Sequence, residues 1–179
     1  MKALKDYKIQ FVGLKEGEHN FDYSINNTFF KNFEYEDFNE ADVNIELKLV
    51  KKSTLLELYF EASGFVNVNC DLTNEPYNQE IKDEFKLVVK FGAEYNDDNE
   101  DILIIPHGEY EINVAQYIYE LIVLAVPAKR IHPGIEDGTL KSDILSKLEE
   151  LSPKEGKEDK SSEEIDPRWN NLKKLLTDK

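Results

Sequence analysis

The chain has a single cysteine, Cys70, among 179 residues. No internal disulfide can form, so a small secreted domain held together by disulfides is excluded. Positive charge is also scarce: 22 Lys and Arg face 37 Asp and Glu, a formal net charge of −15. Up to Ile135 there are 25 acidic and 13 basic side chains, so that part carries −12. A body this acidic repels phosphate, which argues against non-specific nucleic-acid binding; it attracts a basic partner, and charge that serves solubility alone accounts for it equally well. Glycine is sparse, and neither GxGxxG nor GxxxxGK[ST] occurs, so no phosphate-cradling loop is present. No GxSxG elbow occurs either. The opening MKALKDYKIQ has no apolar core of a leader, so no secretory signal is expected and the cytoplasm is the default.

Long apolar runs are nearly absent too. The one strong candidate is EINVAQYIYELIVLAVP, Glu111 to Pro127. It falls short of the ~20 apolar residues a bilayer helix needs, and it contains Asn113, Gln116 and Glu120. Val114, Ile118, Leu121, Ile122 and Ala125 make an i/i+3/i+4 stripe, which Tyr117, Val123 and Leu124 widen. Asn113 is placed to cap the helix, with Gln116 three residues on as in a capping box, and Pro127 stops it. So little polar face predicts a central core helix covered on several sides.

Around it the pattern is β. Asp6 to Leu14 and Phe21 to Ile25 predict weak strands. NNTFFKNFEYEDF, Asn26 to Phe38, reads either as an aromatic-packed loop or as a short helix. DVNIELKLV alternates strictly, with Val43, Ile45, Leu47 and Leu49 on one face. LLELYFEAS follows after a turn at Lys51 to Thr54, and the two predict an antiparallel hairpin. Gly64 is expected to bend the chain into a further strand, FVNVNCDL. Thr73 to Pro76 reads as a turn, and a long strand with Phe85, Leu87, Val89 and Phe91 on one face comes next. Gly92 to Asp101 is expected to be a loop, then Ile102 to Pro106 a short apolar strand. A weak helix is expected at Thr139 to Leu151. Ser152 to Glu164 is charged and apolar-free, the composition of a disordered segment. In IDPRWNNLKKLL, Asp166 caps, Pro167 sits at N1, and Trp169, Leu172, Leu175 and Leu176 form a stripe.

Together these predict an α+β fold: an antiparallel, curled or barrel-like sheet around one central apolar helix, with helical C-terminal segments on a charged linker. The expected divisions are a core domain at 1–135, a charged linker with a weak helix at 136–164, and a short amphipathic helix at 165–179.

Chemistry is hard to find. His19, His107 and His132 stand at no metal-ligand spacing from one another or from Cys70, so no metal and no cofactor are expected. Cys70 falls on the inward phase of its strand and reads as apolar filler. The acid-rich YNDDNED does not fit a calcium loop: counting from Asp97, the sixth and twelfth places hold Ile102 and Gly108. Glu120, inside the apolar helix, is either exposed at a gap in the cover or in need of a partner. Trp169 and Arg168 are the most partner-like pair, since both types are enriched in binding hot spots. Docking of that helix on its own domain is the alternative.

Three ordered stretches resemble the YceD-like family, the large ribosomal RNA subunit accumulation proteins. CDLTNEPY, from Cys70, is similar to the family's C-x-x-C-L-x-P run. INVAQYIYELIVLAVP resembles its helical segment ending in L-x-L-x-P. DPRWNNLKKLL is similar to its closing D-P-R segment. Thr73 stands where the family's second cysteine falls, and AKRIHPGIEDGTL lacks the later cysteines of many members. The positions that carry over are Cys70, Glu75, Pro76, Pro127, Asp166, Pro167, Arg168 and Trp169, none of them catalytic.

The resemblance implies a bacterial cytoplasmic factor, not an enzyme, that supports accumulation of 23S (large-subunit) rRNA in ribosome assembly. The partner expected is a basic ribosomal protein or pre-ribosomal particle, held by the acidic surface with Arg168 and Trp169 as a second contact. Direct RNA binding by Lys129, Arg130, Arg168, Lys173 and Lys174 is the competing expectation, and a scaffold domain without a ribosomal role is the third.

Overall fold

Strict alternation builds the sheet. In the computed structural model, which describes residues 4–140 and 142–152, the described residues divide into two units, 4–140 and 142–152. In chain order the first unit contains β1 (Lys8–Ile9), β2 (Gly17–Asn26), α1 (Asn27–Phe30), β3 (Glu40–Lys51), β4 (Leu55–Asn69), β5 (Pro76–Gly92), β6 (Asn96–Asn99), β7 (Ile102–Pro106), β8 (Ile112–Asn113), α2 (Ala115–Ala125) and α3 (Pro133–Glu136). The second contains α4 (Asp143–Leu151), whose N-terminus is capped by the Ser142 hydroxyl accepting from the Ile144 N–H. Of the sequence-predicted C-terminal features, residues 153–179 lie outside the described residues.

Six strands form one sheet in the order β2-β3-β4-β5-β7-β6. All neighbours are antiparallel except β5 and β7, which run parallel from Val88↔Ile102. The register puts Ile45 between Tyr23 and Ala62, and Leu58 between Leu49 and Leu87, so alternate residues of each strand share one face. On that face Val43, Ile45, Leu49, Leu56, Leu58, Val66 and Val68 are fully buried. Opposite, Asp42, Asn44, Glu46 and Lys48 are exposed. The sheet is open: β2 ends it on one side and β6 on the other, and among the described residues they do not pair. The barrel-like expectation is therefore corrected. One-sided burial needs only a covering layer, and α2 with the aromatic segment around α1 supplies it.

The helix is correspondingly one-sided. Val114, Ala115, Ile118, Leu121 and Ile122 are buried, whereas Gln116, Glu120 and Leu124 are exposed at i, i+4 and i+8. Two aromatics flank the buried stripe. Tyr119 stacks on Phe33 at 4.4 Å, within a cluster that includes Phe29, Phe30, Tyr35 and Phe38, and Tyr117 stacks on Phe85 at 6.3 Å. The segment Asn26 to Phe38 thus forms a helical turn and an aromatic layer at once. The Asn113 amide oxygen accepts from the Ala115 N–H at 2.9 Å, but the N-cap position falls on Val114, and Gln116 reaches forward to Glu120 instead of back, so the box does not close.

Three local expectations are revised. Asp6 to Leu14 is not a strand along its length: only Lys8–Ile9 pairs, with β8, and the Lys51 ammonium gathers the carbonyls of Phe11 and Leu14 at 2.9 and 2.8 Å into a turn. Gly64 does not bend the chain. β4 runs through it unbroken, because β3 approaches so closely that a Cβ there would sit 2.2 Å from the Asp42 carbonyl oxygen. Gly92 to Asp101 is not all loop, since Asn96–Asn99 adds β6 to the sheet edge with a register irregularity.

Candidate functional site: a motif clip and an acidic groove

Two features collect the residues that the sequence marks. The first is a clip at the end of β4. After Asn69 the chain turns so that the Cys70 N–H donates to the Glu75 carbonyl at 2.9 Å and the Asn74 N–H to the Cys70 carbonyl at 2.8 Å. Asn74 takes the left-handed conformation at φ 59°, which asparagine tolerates. Pro76 opens β5, a position where a missing N–H costs nothing to the ladder.

This turn is fastened to the segment after α2. The Asp71 N–H donates to the Arg130 carbonyl at 2.8 Å, and the Arg130 N–H returns to the Asp71 carboxylate at 2.7 Å. The Arg130 guanidinium lies 3.5 Å from the same carboxylate. Pro127 makes this return possible. It puts Val126 into an extended conformation and ends α2, so the chain turns toward the β4–β5 end.

Cys70 lies at the centre of the clip, 2% exposed. Its sulfur accepts from the His132 backbone N–H at 3.3 Å. Burial alone would raise its pKa. The Thr73 hydroxyl and the backbone N–H groups of His132, Leu72 and Thr73 outweigh burial and hold the thiol below its ordinary value. Thr73 is itself buried, and its hydroxyl donates to Cys70. Local spacing hid the proximity of His132. Its ring makes no bond to the sulfur: Nδ1 accepts from Gly134, and the imidazole packs on Tyr77 at 5.4 Å. His19 and His107 are elsewhere, bonded to the Lys15 carbonyl and stacked on Phe91 respectively. Among the described residues no group of three His, Cys, Asp or Glu side chains is disposed to hold a metal.

The second feature is a groove of about 910 Å³ bounded by α2, the middle of β5 and the β6–β7 edge. Phe85, Leu103, Ile105, Tyr117 and Leu121 supply apolar surface, and eight carboxylates line it with no Lys, Arg or His among the described lining residues. The sequence suggests neither the groove nor its membership, because its acids come from four separate segments. Glu120 belongs here, exposed, which settles the ambiguity about that residue. Glu111 pairs with Lys8; among the described residues the other seven carboxylates have no salt bridge. Burial, and then the negative surroundings of Tyr95, Asp97 and Glu120, push the Tyr117 phenol up to about 12.

Of the six basic and aromatic candidates, two lie among the described residues. Lys129 is exposed, Arg130 is committed to Asp71, and Arg168, Trp169, Lys173 and Lys174 lie outside the described residues, as do Asp166 and Pro167. No helix among the described residues is long and apolar enough to cross a membrane.

No curated protein and no solved structure matches the chain. A family model does, over residues 58–176, about two thirds of the sequence, and it takes in both halves of the clip and every lining residue of the groove. By that match the chain belongs to the family described as "Large ribosomal RNA subunit accumulation protein YceD".

Proposed function

We propose that this protein supports accumulation of 23S rRNA during ribosome assembly in the cytoplasm, acting as a binding factor and not as an enzyme. In this reading its anionic body holds a basic ribosomal protein or assembly partner. Family membership supports the ribosomal role. The observation that carries the mode of action is charge. Residues 1–135 hold 25 acids against 13 bases, and seven groove carboxylates have no cationic partner among the described residues. Carboxylates gathered in one place without cations repel one another and raise a field that draws in cations. A basic ribosomal protein off the ribosome has the opposite problem, a surplus of positive charge and no RNA. An acidic factor can hold it soluble until RNA, with higher charge density, displaces it.

The test is a pulldown from cell extract at moderate salt, with ribosome profiles after deletion. The expected result is recovery of a ribosomal protein or pre-subunit particle, and depletion of large subunits in the deletion strain. Recovery of none, with unchanged profiles, overturns the proposal. An rRNA fragment whose binding falls steeply with salt, and is lost when Lys129, Arg130, Arg168, Lys173 and Lys174 are neutralised, would move the function to direct RNA binding.

A further inference from the structure

We infer that the groove between α2 and the β6–β7 edge is the docking site for a basic, amphipathic peptide segment of the partner. The segment is one in which Lys or Arg alternates with aliphatic or aromatic residues. This rests on the reading that the partner is a basic protein, and it assigns the contact to one place.

The groove has two kinds of wall, and the occupant must match both. Its apolar surface, with Phe85, Tyr117 and Leu121, calls for apolar side chains. Leu124 extends that surface outward while 79% exposed, a large apolar residue left in water on the last turn of α2. Around it stand Asp97, Asp101, Glu109 and Glu120, which call for cations. The carbonyl end of α2 adds partial negative charge on the same side. The free edge of β5 contributes a third element. Among the described residues it pairs between Pro76 and Leu87 with β4 alone, since β7 joins only from Val88, and an extended segment could add along that edge.

Other occupants fit poorly. Nucleic acid and small anions meet a wall of carboxylates. A second copy of the chain brings its own −15 to the contact. A bare oligocation satisfies the rim but leaves Leu124 wet.

The test uses the full chain and two labelled synthetic peptides, one with repeating Lys-Leu and one of lysine alone at equal length, read by fluorescence anisotropy. The first is expected to bind at least tenfold tighter. Combining Asp97→Asn, Asp101→Asn, Glu109→Gln and Glu120→Gln should weaken both at least tenfold. Leu124→Ser should weaken only the Leu-bearing peptide, by about fivefold. A matched set on the exposed sheet face, Asp22→Asn, Asp42→Asn, Glu46→Gln and Glu61→Gln, should leave binding within twofold, with circular dichroism confirming that each variant folds.

If the two charge sets weaken binding equally, attraction is general and the groove is not the site, while the basic-partner reading stands. If wild type binds neither peptide, the inference falls, and the pulldown decides the partner reading separately. If sedimentation shows a dimer that Leu124→Ser dissolves, the groove is filled by a second copy and the inference is overturned.

Discussion

Replacing Gly64 with alanine tests the central feature of the sheet, the unbroken run of β4. Gly64 has φ 149°, a region that side-chain-bearing residues avoid, and holding alanine there costs about 1–3 kcal/mol. The added methyl carbon would lie 2.2 Å from the Asp42 carbonyl oxygen and 2.8 Å from the Val43 Cα, both backbone atoms that no rotamer change can move. Ordinary contact requires β3 to retreat by about 1 Å at this point. That stretches the ladder bonds flanking Val43↔Gly64, at about 1 kcal/mol for each bond lost. The sum is about 3–5 kcal/mol, a large share of the ~5–15 kcal/mol that holds a domain folded. Urea unfolding followed by circular dichroism measures it, with Gly108→Ala as control, since nothing lies within 4 Å of a Cβ at Gly108. A Gly64→Ala midpoint matching the control, with unchanged slope, would refute the close approach and restore a turn at Gly64.

Two further outcomes follow from the site geometry. Thr73→Val removes the hydroxyl that donates to Cys70 and accepts from the Glu75 N–H, and should destabilise the protein by about 1 kcal/mol. A thiol whose folded pKa is depressed adds stability above its unfolded value, and that increment fades as pH falls through the folded value. Wild-type urea midpoints should therefore rise as pH climbs toward the ordinary thiol value of about 8.5, and the rise should shrink in Thr73→Val; an equal rise in both would exclude the hydroxyl as its cause. Tyr23 and Tyr117 are pushed up to about 12, chiefly by burial. They should be among the last of the nine tyrosines to show phenolate absorbance. Because the folded value is raised, their contribution is complete below pH 10 and is lost as pH rises toward 12. Both phenols are only about half buried, so screening reduces this to about 1 kcal/mol each, and phenylalanine at both positions should flatten the alkaline decline.

What could be read from the residues beforehand divides along a physical line. β3 was legible because one of its faces meets water and the other the core, and that difference is written residue by residue into Val43, Asn44, Ile45 and Glu46. Pro127 was legible because a missing N–H acts locally. Gly64 was misread because a glycine that admits a neighbouring strand and one that turns the chain look the same until the neighbour is placed. β6 was missed because four polar residues in a row, Asn96 to Asn99, have no apolar phase; their strand character comes from pairing with Ile102 and Ile104.

The helix shows how the candidate site escaped notice for the same reason. Composition makes α2 apolar nearly all round, and the economical inference is cover on every side. The sheet and the aromatic layer cover two sides and stop, leaving Gln116, Glu120 and Leu124 facing the groove. Most of the widened stripe is still used: Tyr117, Val123 and Ala125 pack partly buried against the core. Leu124 is the apolar residue of the helix left exposed, set among acids from β5, β6 and the loops around β7. Residues on four segments acquire a common role only when the fold brings them together. The Asp71–Arg130 link, 59 residues apart in sequence, is a second case. Family resemblance placed Cys70 and Pro127 as separate marks, and the structure makes them two ends of one clip. A site assembled this way leaves little local mark in the sequence: its eight acids are spread over four segments, and Leu124 looks like any other apolar residue of its helix.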